Sequence, residues 1–194
     1  LHDLTGLADA IHARGKDTQF VVITNPISLG LLKPPGDYGA DTVLGEGQPL
    51  GLGLNFGGPY LGFYATRSQY ARQMAGRLVG KTVDLEGKEG YVMTLTTREQ
   101  HIRRDKATSN ICSNQGLMAL AATVYMAALG KHGLRKVAEL NYHKAHYAAA
   151  AIDAVKGFSV VRRKPFFNEF VVRCPKPADE VNTFLIDGME SVEI

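Results

Sequence analysis

Between Thr94 and Asn114 lies a dense collection of groups able to grip an anion: Arg98, His101, Arg103, Arg104 and Lys106, followed by Thr108, Ser109 and Asn110. Arginine offers a planar fork of donors that matches carboxylate or phosphate, and lysine adds a point charge. Thr, Ser and Asn are the residues that cap helices, and the free N–H groups of a helix start attract anions. Arg103 and Arg104 are adjacent, so on a helix they point about 100° apart and do not converge on one ligand atom. The competing reading is an internal ion-pair knot with Glu99 and Asp105. Spacing alone leaves both readings open.

A second feature is the glycine-rich stretch from Gly45 to Gly62, with seven glycines. It reads as a loop on which backbone approaches something closely. No Gly-Lys-Ser/Thr follows, so it is no P-loop, and it lacks the order of a dinucleotide-binding turn. His143 and His146 sit three apart on one predicted helix face, but no acidic or cysteine ligand stands near them, so no metal site is expected. Cys112 falls in the first turn of a predicted helix, where a thiol acidifies; burial as a plain thiol is the simpler expectation. No nucleophile-elbow pattern is present. Tyr142, Tyr147, Phe166 and Phe167 read as core and interface.

These groups need a scaffold. Leu4 to Arg14 carries helical spacing and stops at Gly15. Gln19 to Thr24 is a β-branched run of the kind buried on both faces of a sheet, and Asp41 to Leu44 reads the same way. Ile27 to Leu32 is a short helical piece, Leu61 to Ala65 a strand, and Ser68 to Ala75 a short helix. Gly76 to Gly90 reads as a polar excursion with turns, and Tyr91 to Thr96 as a strand or extended arm. Thr97 and Gln100 fit a capping box. Asn110 to Leu129 predicts a helix with Leu117, Leu120, Ala121, Val124 and Ala128 inward, stopped by Gly130. Gly133 to Val155 predicts another, with Leu134, Val137, Leu140, Ala148 and Ile152 inward. Gly157 to Arg162 and Glu169 to Arg173 read as paired strands, and Pro177 to Ile186 as a last helix. The rhythm is that of an α/β protein. The expected division is 1–112, part of a large α/β domain, and 113–194, a helix pair with a small αβ domain.

Composition sets the bounds. A chain of 194 residues with 45% hydrophobic and 21% charged residues can build a core. A net charge of +3 is mild, and no basic stripe interleaved with aromatics suggests nucleic acid. Apolar runs short of the ~20 residues of a membrane span predict no membrane insertion. Two cysteines, Cys112 and Cys174, make no disulfide framework and suit reduced thiols in a cytoplasmic protein. The start at Leu1 and the end at Ile194 read as those of a piece of a longer protein.

The stretch from Leu95 to Cys112 resembles, almost word for word, a signature of the glycine cleavage system P-protein family, glycine dehydrogenase (decarboxylating). Gly45 to Pro49, Asn55 to Gly62, Ala75 to Gly80 and Pro165 to Phe170 are similar to it as well. In detail the chain looks like the α-type chain (subunit 1) of the split prokaryotic form. The resemblance implies a type I pyridoxal-phosphate-dependent transferase-like fold, here a partial large domain plus part of the C-terminal small domain. It implies decarboxylation of glycine with pyridoxal phosphate as electron sink, and transfer of the aminomethyl group to the lipoyl arm of H-protein. The expected assembly is a heterotetramer with subunit 2 (β). Aligned on Pro59, the family's partner loop puts its Schiff-base lysine at Gln48. An amide forms no imine, so the cofactor is expected on the partner. Arg98, His101, Arg103, Lys106, Thr108, Ser109 and Asn110 are then expected to face the partner's cofactor, with Arg98 or Arg103 meeting the glycine carboxylate or the cofactor phosphate. The rival implication is a purely structural subunit.

Overall fold

A buried carboxylate ties the first elements together. Helix α1 (Leu7–His12) is followed by strand β1 (Val21–Ile23), two short 3-10 turns (Pro26–Gly30 and Pro35–Tyr38), strand β2 (Thr42–Glu46) and strand β3 (Gly62–Thr66). The computed structural model describes residues 4–15, 17–74, 76–107, 113–161 and 164–190. Strand β2 is central, parallel to β1 and antiparallel to β3. Immediately before it sits Asp41, 3% exposed. One carboxylate oxygen accepts from His12 Nε2 at 2.6 Å and from the Phe20 N–H at 2.9 Å; the other faces Arg67 Nε at 3.4 Å. Arg67 also donates to the Ala40 carbonyl, and Thr66 Oγ1 to that of Asp41. One side chain thereby joins α1 and the ends of all three strands.

The sheet is more open than a doubly buried run implies. Phe20 is buried, but Val21 and Ile23 face solvent, because β1 is an edge strand with one uncovered face. The expected polar excursion after Gly76 is instead a hairpin of β4 (Leu78–Val83) and β5 (Glu89–Thr94). Its turn is built by Asp84, whose Oδ1 accepts the N–H groups of Glu86 and Lys88 at 3.0 and 2.8 Å. Val79, Lys81, Tyr91 and Met93 share one face and are all exposed. With that face in water, the first strand carries no inward apolar stripe and reads as a polar excursion, whereas Tyr91 to Thr96, read as a strand or extended arm, is a strand as far as Thr94.

Helix α3 (Gly116–Asp153) is the longest element. It is two helical arms meeting at Gly130, where φ is 60° and ψ −177°. A side chain there would strain, so the expected glycine stop holds although the arms run on without a loop. By length and composition α3 is apolar enough to cross a membrane, contrary to the reading of short apolar runs. The break would leave backbone groups unpaired in hydrocarbon. In the first arm Ala122 is buried, while Leu117, Leu120 and Val124 are exposed, opposite to expectation. The buried stripe is one step round the helix.

The described residues form two compact units: 5–26 with 33–129, and 4 with 27–32 and 130–190. In the second, Gly30 lies against α3, where a Cβ would come within 2.9 Å of that of Ala138. The paired strands near the end shorten to β6 (Ser159–Val160) and β7 (Val172–Arg173), paired as expected and antiparallel, followed by α4 (Ala178–Glu190).

Burial alone would push the Asp41 carboxyl up; the Phe20 N–H, the His12 bond and the charges of His12 and Arg67 outweigh it and hold it below the ordinary range. A carboxyl depressed on folding stabilises above its unfolded pKa and loses that contribution as pH falls through its folded value. Urea titrations of D41N against the parent should show a loss of about 2 kcal/mol at neutral pH. The difference should shrink as the solution is acidified below pH ~4.

Candidate functional site

The glycine-rich loop leaves β2 at Glu46 and returns at β3. Glu46 staples its mouth: Oε1 accepts the N–H groups of Gln48 at 3.0 Å and Leu61 at 3.2 Å. The Gly47 N–H also donates to the Leu61 carbonyl. Gln48 is half-buried, and its amide nitrogen donates to the Gly53 carbonyl at 3.4 Å. Farther on, Asn55 Nδ2 donates to the Pro59 carbonyl at 2.5 Å and contacts Met118 Sδ at 3.6 Å. Gly51, at φ 84°, lies so close to the Tyr125 ring that a Cβ would approach within 2.5 Å. The first arm of α3 is therefore the floor under this loop. Phe56 sits beyond it at φ 45° and is 93% exposed. A non-glycine residue in the left-handed region, with its ring in water, is a strained display.

The chemistry of this loop does not suit covalent attachment of an aldehyde cofactor. An amide nitrogen conjugated to its carbonyl is no nucleophile, and the loop between Gly45 and Gly62 contains no lysine. Lys81 stands on the hairpin with its ammonium 2.6 Å from Glu89.

The cationic run is split by the fold. Leu95, at φ 53°, turns the chain into a 3-10 turn, Thr96–Arg98; Glu99 caps α2 (Gln100–Arg103), and a second 3-10 turn covers Arg104–Lys106. The capping box does not form: Glu99, not Thr97, occupies the N-cap, with no side-chain cap bond. The helix is a single turn. Arg98 turns inward with its side chain 16% exposed. Its Nη1 donates to the carbonyls of Arg72 (3.4 Å) and Met74, and its Nη2 to that of Gly76 at 2.6 Å. Its Nε faces the buried Glu99 carboxylate at 3.9 Å. His101, Arg103, Arg104 and Lys106 are exposed. They make no ion pair or side-chain hydrogen bond among the described residues. The knot with Glu99 therefore takes Arg98 alone, and Asp105 takes none of the cations. Thr108, Ser109, Asn110 and Cys112 lie outside the described residues. Among those described, no polar contact joins the cationic segment to the glycine-rich loop. The role of Glu46 was not read from the sequence; Glu two residues before Gln48, able to collect backbone N–H groups, was the available signal.

In the other unit His146 donates from Nε2 to the Phe166 carbonyl at 3.0 Å and stacks flat on that ring at 4.0 Å. Tyr142 packs on its other side at 4.1 Å, and Phe170 follows Phe166. This four-ring row is half-buried and packs on the second arm of α3. His146 is thus engaged in packing and hydrogen bonding, and no group of three or more metal-ligand side chains occurs among the described residues.

Comparison with known proteins agrees with this architecture. The family model described as glycine cleavage system P-protein matches residues 1–190. A probable glycine dehydrogenase (decarboxylating) subunit 1 of Thermomicrobium roseum is 60% identical over 187 residues, covering 96% of this chain and 41% of that protein. One from Parvibaculum lavamentivorans is 52% identical over the same length and shares. A crystal structure of glycine decarboxylase (P-protein) of the glycine cleavage system, in inhibitor-bound form, superposes with a TM-score of 0.90 at 48% identity. That match covers 97% of this chain and 43% of that one. The fold is therefore the α/β fold of glycine decarboxylase. The chain belongs to the glycine cleavage system P-protein family and spans about two fifths of the length of these relatives.

Packing of Gly51 on Tyr125 is directly testable. A G51A variant should lose about 1–3 kcal/mol, from the left-handed φ and the crowded ring together. Thermal unfolding followed by circular dichroism would measure it; an unchanged midpoint would show that the loop does not rest on the helix as described.

Proposed function

We propose that this chain is part of the first subunit of a two-subunit, cytoplasmic glycine dehydrogenase (decarboxylating). The assembled enzyme decarboxylates glycine and passes the aminomethyl group to the lipoyl arm of H-protein. The observation that carries this reading is the 60% identity to a subunit 1 across 96% of the chain. Pyridoxal phosphate supplies the electron sink in that chemistry. The loop around Gln48 offers no amine to hold it, which supports a cofactor carried by the β subunit of the heterotetramer. This chain then completes the partner's site rather than owning one.

Its contribution is electrostatic. Arg103 and Lys106, with His101 alongside, are exposed and have no ion-pair partner among the described residues, as suits groups that meet an anion from outside the chain. Either the glycine carboxylate or the cofactor phosphate suits them. In a dry interface such a charged hydrogen bond contributes roughly 1.5–3 kcal/mol. Thr108, Ser109 and Asn110 follow in the same run of sequence and are proposed to face the same anion. A purely structural role is the second reading, favoured by the inward turn of Arg98; the free cations favour the first.

Two measurements bear on this. In the complete complex with its β partner, R103A or K106A should slow glycine–bicarbonate exchange with H-protein about ten- to a hundredfold; normal turnover in both variants sinks the anion site. Borohydride reduction of the complex loaded with pyridoxal phosphate should leave the pyridoxyl label on a β-subunit lysine alone. Mass spectrometric recovery of that label on this chain would overturn the accessory role.

A further inference from the structure

We infer that Arg98 is the positioning residue of the cationic segment: its guanidinium fixes the segment to the root of the hairpin and leaves Arg103 and Lys106 to meet the anion. This deepens the reading above and rests on it.

Donor geometry is the first argument. A carboxylate or phosphate takes two parallel N–H bonds from one edge of a guanidinium. On Arg98, Nη1 serves two carbonyls and Nη2 a third, and the Nε edge faces Glu99. An anion on that edge would lie against a buried carboxylate, like charge to like charge. The only edge not given to carbonyls is the one that faces Glu99.

Chain topology is the second. The accepted carbonyls belong to Arg72, Met74 and Gly76, just before β4, and Arg98 follows just after β5. One side chain thus closes both strands at their base. A two-stranded hairpin is marginal by itself, so its root needs such a tie. The next residue, Glu99, begins α2, and its carbonyl accepts the N–H groups of Ile102 at 3.0 Å and Arg103 at 2.8 Å. The anchor and the exposed arginine are joined by a single helical turn.

Strain is the third. Leu95 at φ 53° and Arg104 at φ 54° bracket the segment, both non-glycine residues in the left-handed region. Such conformations persist only where the surroundings over-determine them. Between the two, Arg98 and Glu99 are the buried, multiply bonded pair able to do so.

The test uses full-length subunit 1 in complex with its β partner. R98A should speed amide exchange of residues 76–82 and 89–98 about tenfold. It should lower kcat/KM for glycine by a similar factor at a temperature where the complex is fully folded. Millimolar guanidinium ion, able to refill the space among the three carbonyls, should restore part of both. R98K keeps the charge but not the fork, so it should be intermediate in exchange and in kcat/KM; it also serves if R98A does not assemble. R103A should lower kcat/KM with exchange of the hairpin unchanged. If R98A or R98K loses activity while exchange stays that of the parent, Arg98 touches the ligand and the inference fails. If exchange rises and kcat/KM does not move, Arg98 is structural only and the inference fails again. Normal turnover by the R103A/K106A double variant overturns the anion-site reading itself, an outcome distinct from both.

Discussion

One buried carboxylate organises the sheet. Asp41 has lost its water, and an ionised carboxylate in that position is tolerable only when its lone pairs are met. They are met by groups from three places in the chain: a helix, the lead-in to β1 and the end of β3. The parallel pairing of β1 with β2 is registered at this point, because the Phe20 N–H reaches the same carboxylate and its carbonyl accepts from the Asp41 N–H. With β2 so placed, its far end launches the glycine-rich loop in a defined direction, and Glu46 closes the loop's mouth with the same device of carboxylate on backbone N–H.

The same economy runs through the cationic segment. A guanidinium turned onto main-chain carbonyls acts as a cross-link between stretches that have no hydrophobic reason to meet. The hairpin it ties down carries exposed Val79, Tyr91 and Met93 on one face. Packing within the chain therefore contributes little to holding it, and polar closure at the root contributes much. The proposed catalytic role of the neighbouring cations depends on this rigidity, since a charge placed on a mobile loop contributes less than one held in position.

Several elements were legible beforehand. β2, β3, the helix break at Gly130 and the late strand pair follow from local rules: β-branched runs, a glycine after a periodic stretch, a connection broken at Pro165. The hairpin was half legible: Tyr91 to Thr96 reads as a strand or extended arm, whereas the first strand passes for a polar excursion because both its edges and one of its faces are wet. The inner face of the first arm of α3, where two apolar stripes compete, was not legible. Met118 and Tyr125 won the contact with the glycine-rich loop and Ala122 is buried, while Leu117, Leu120 and Val124 are exposed. Periodicity says that a helix has an apolar side; when it has two, only the neighbour decides.

Residue types by themselves determined the family, the α/β class and the absence of an amine from the loop around Gln48, since these rest on the identity and order of side chains. Tertiary structure decided which cations are available. Arg98 and Arg103 are five residues apart and chemically identical, yet one is enclosed by carbonyls from 22 to 26 residues earlier and the other stands in water. That difference arises from chain closure across the hairpin, a long-range contact that no local pattern encodes.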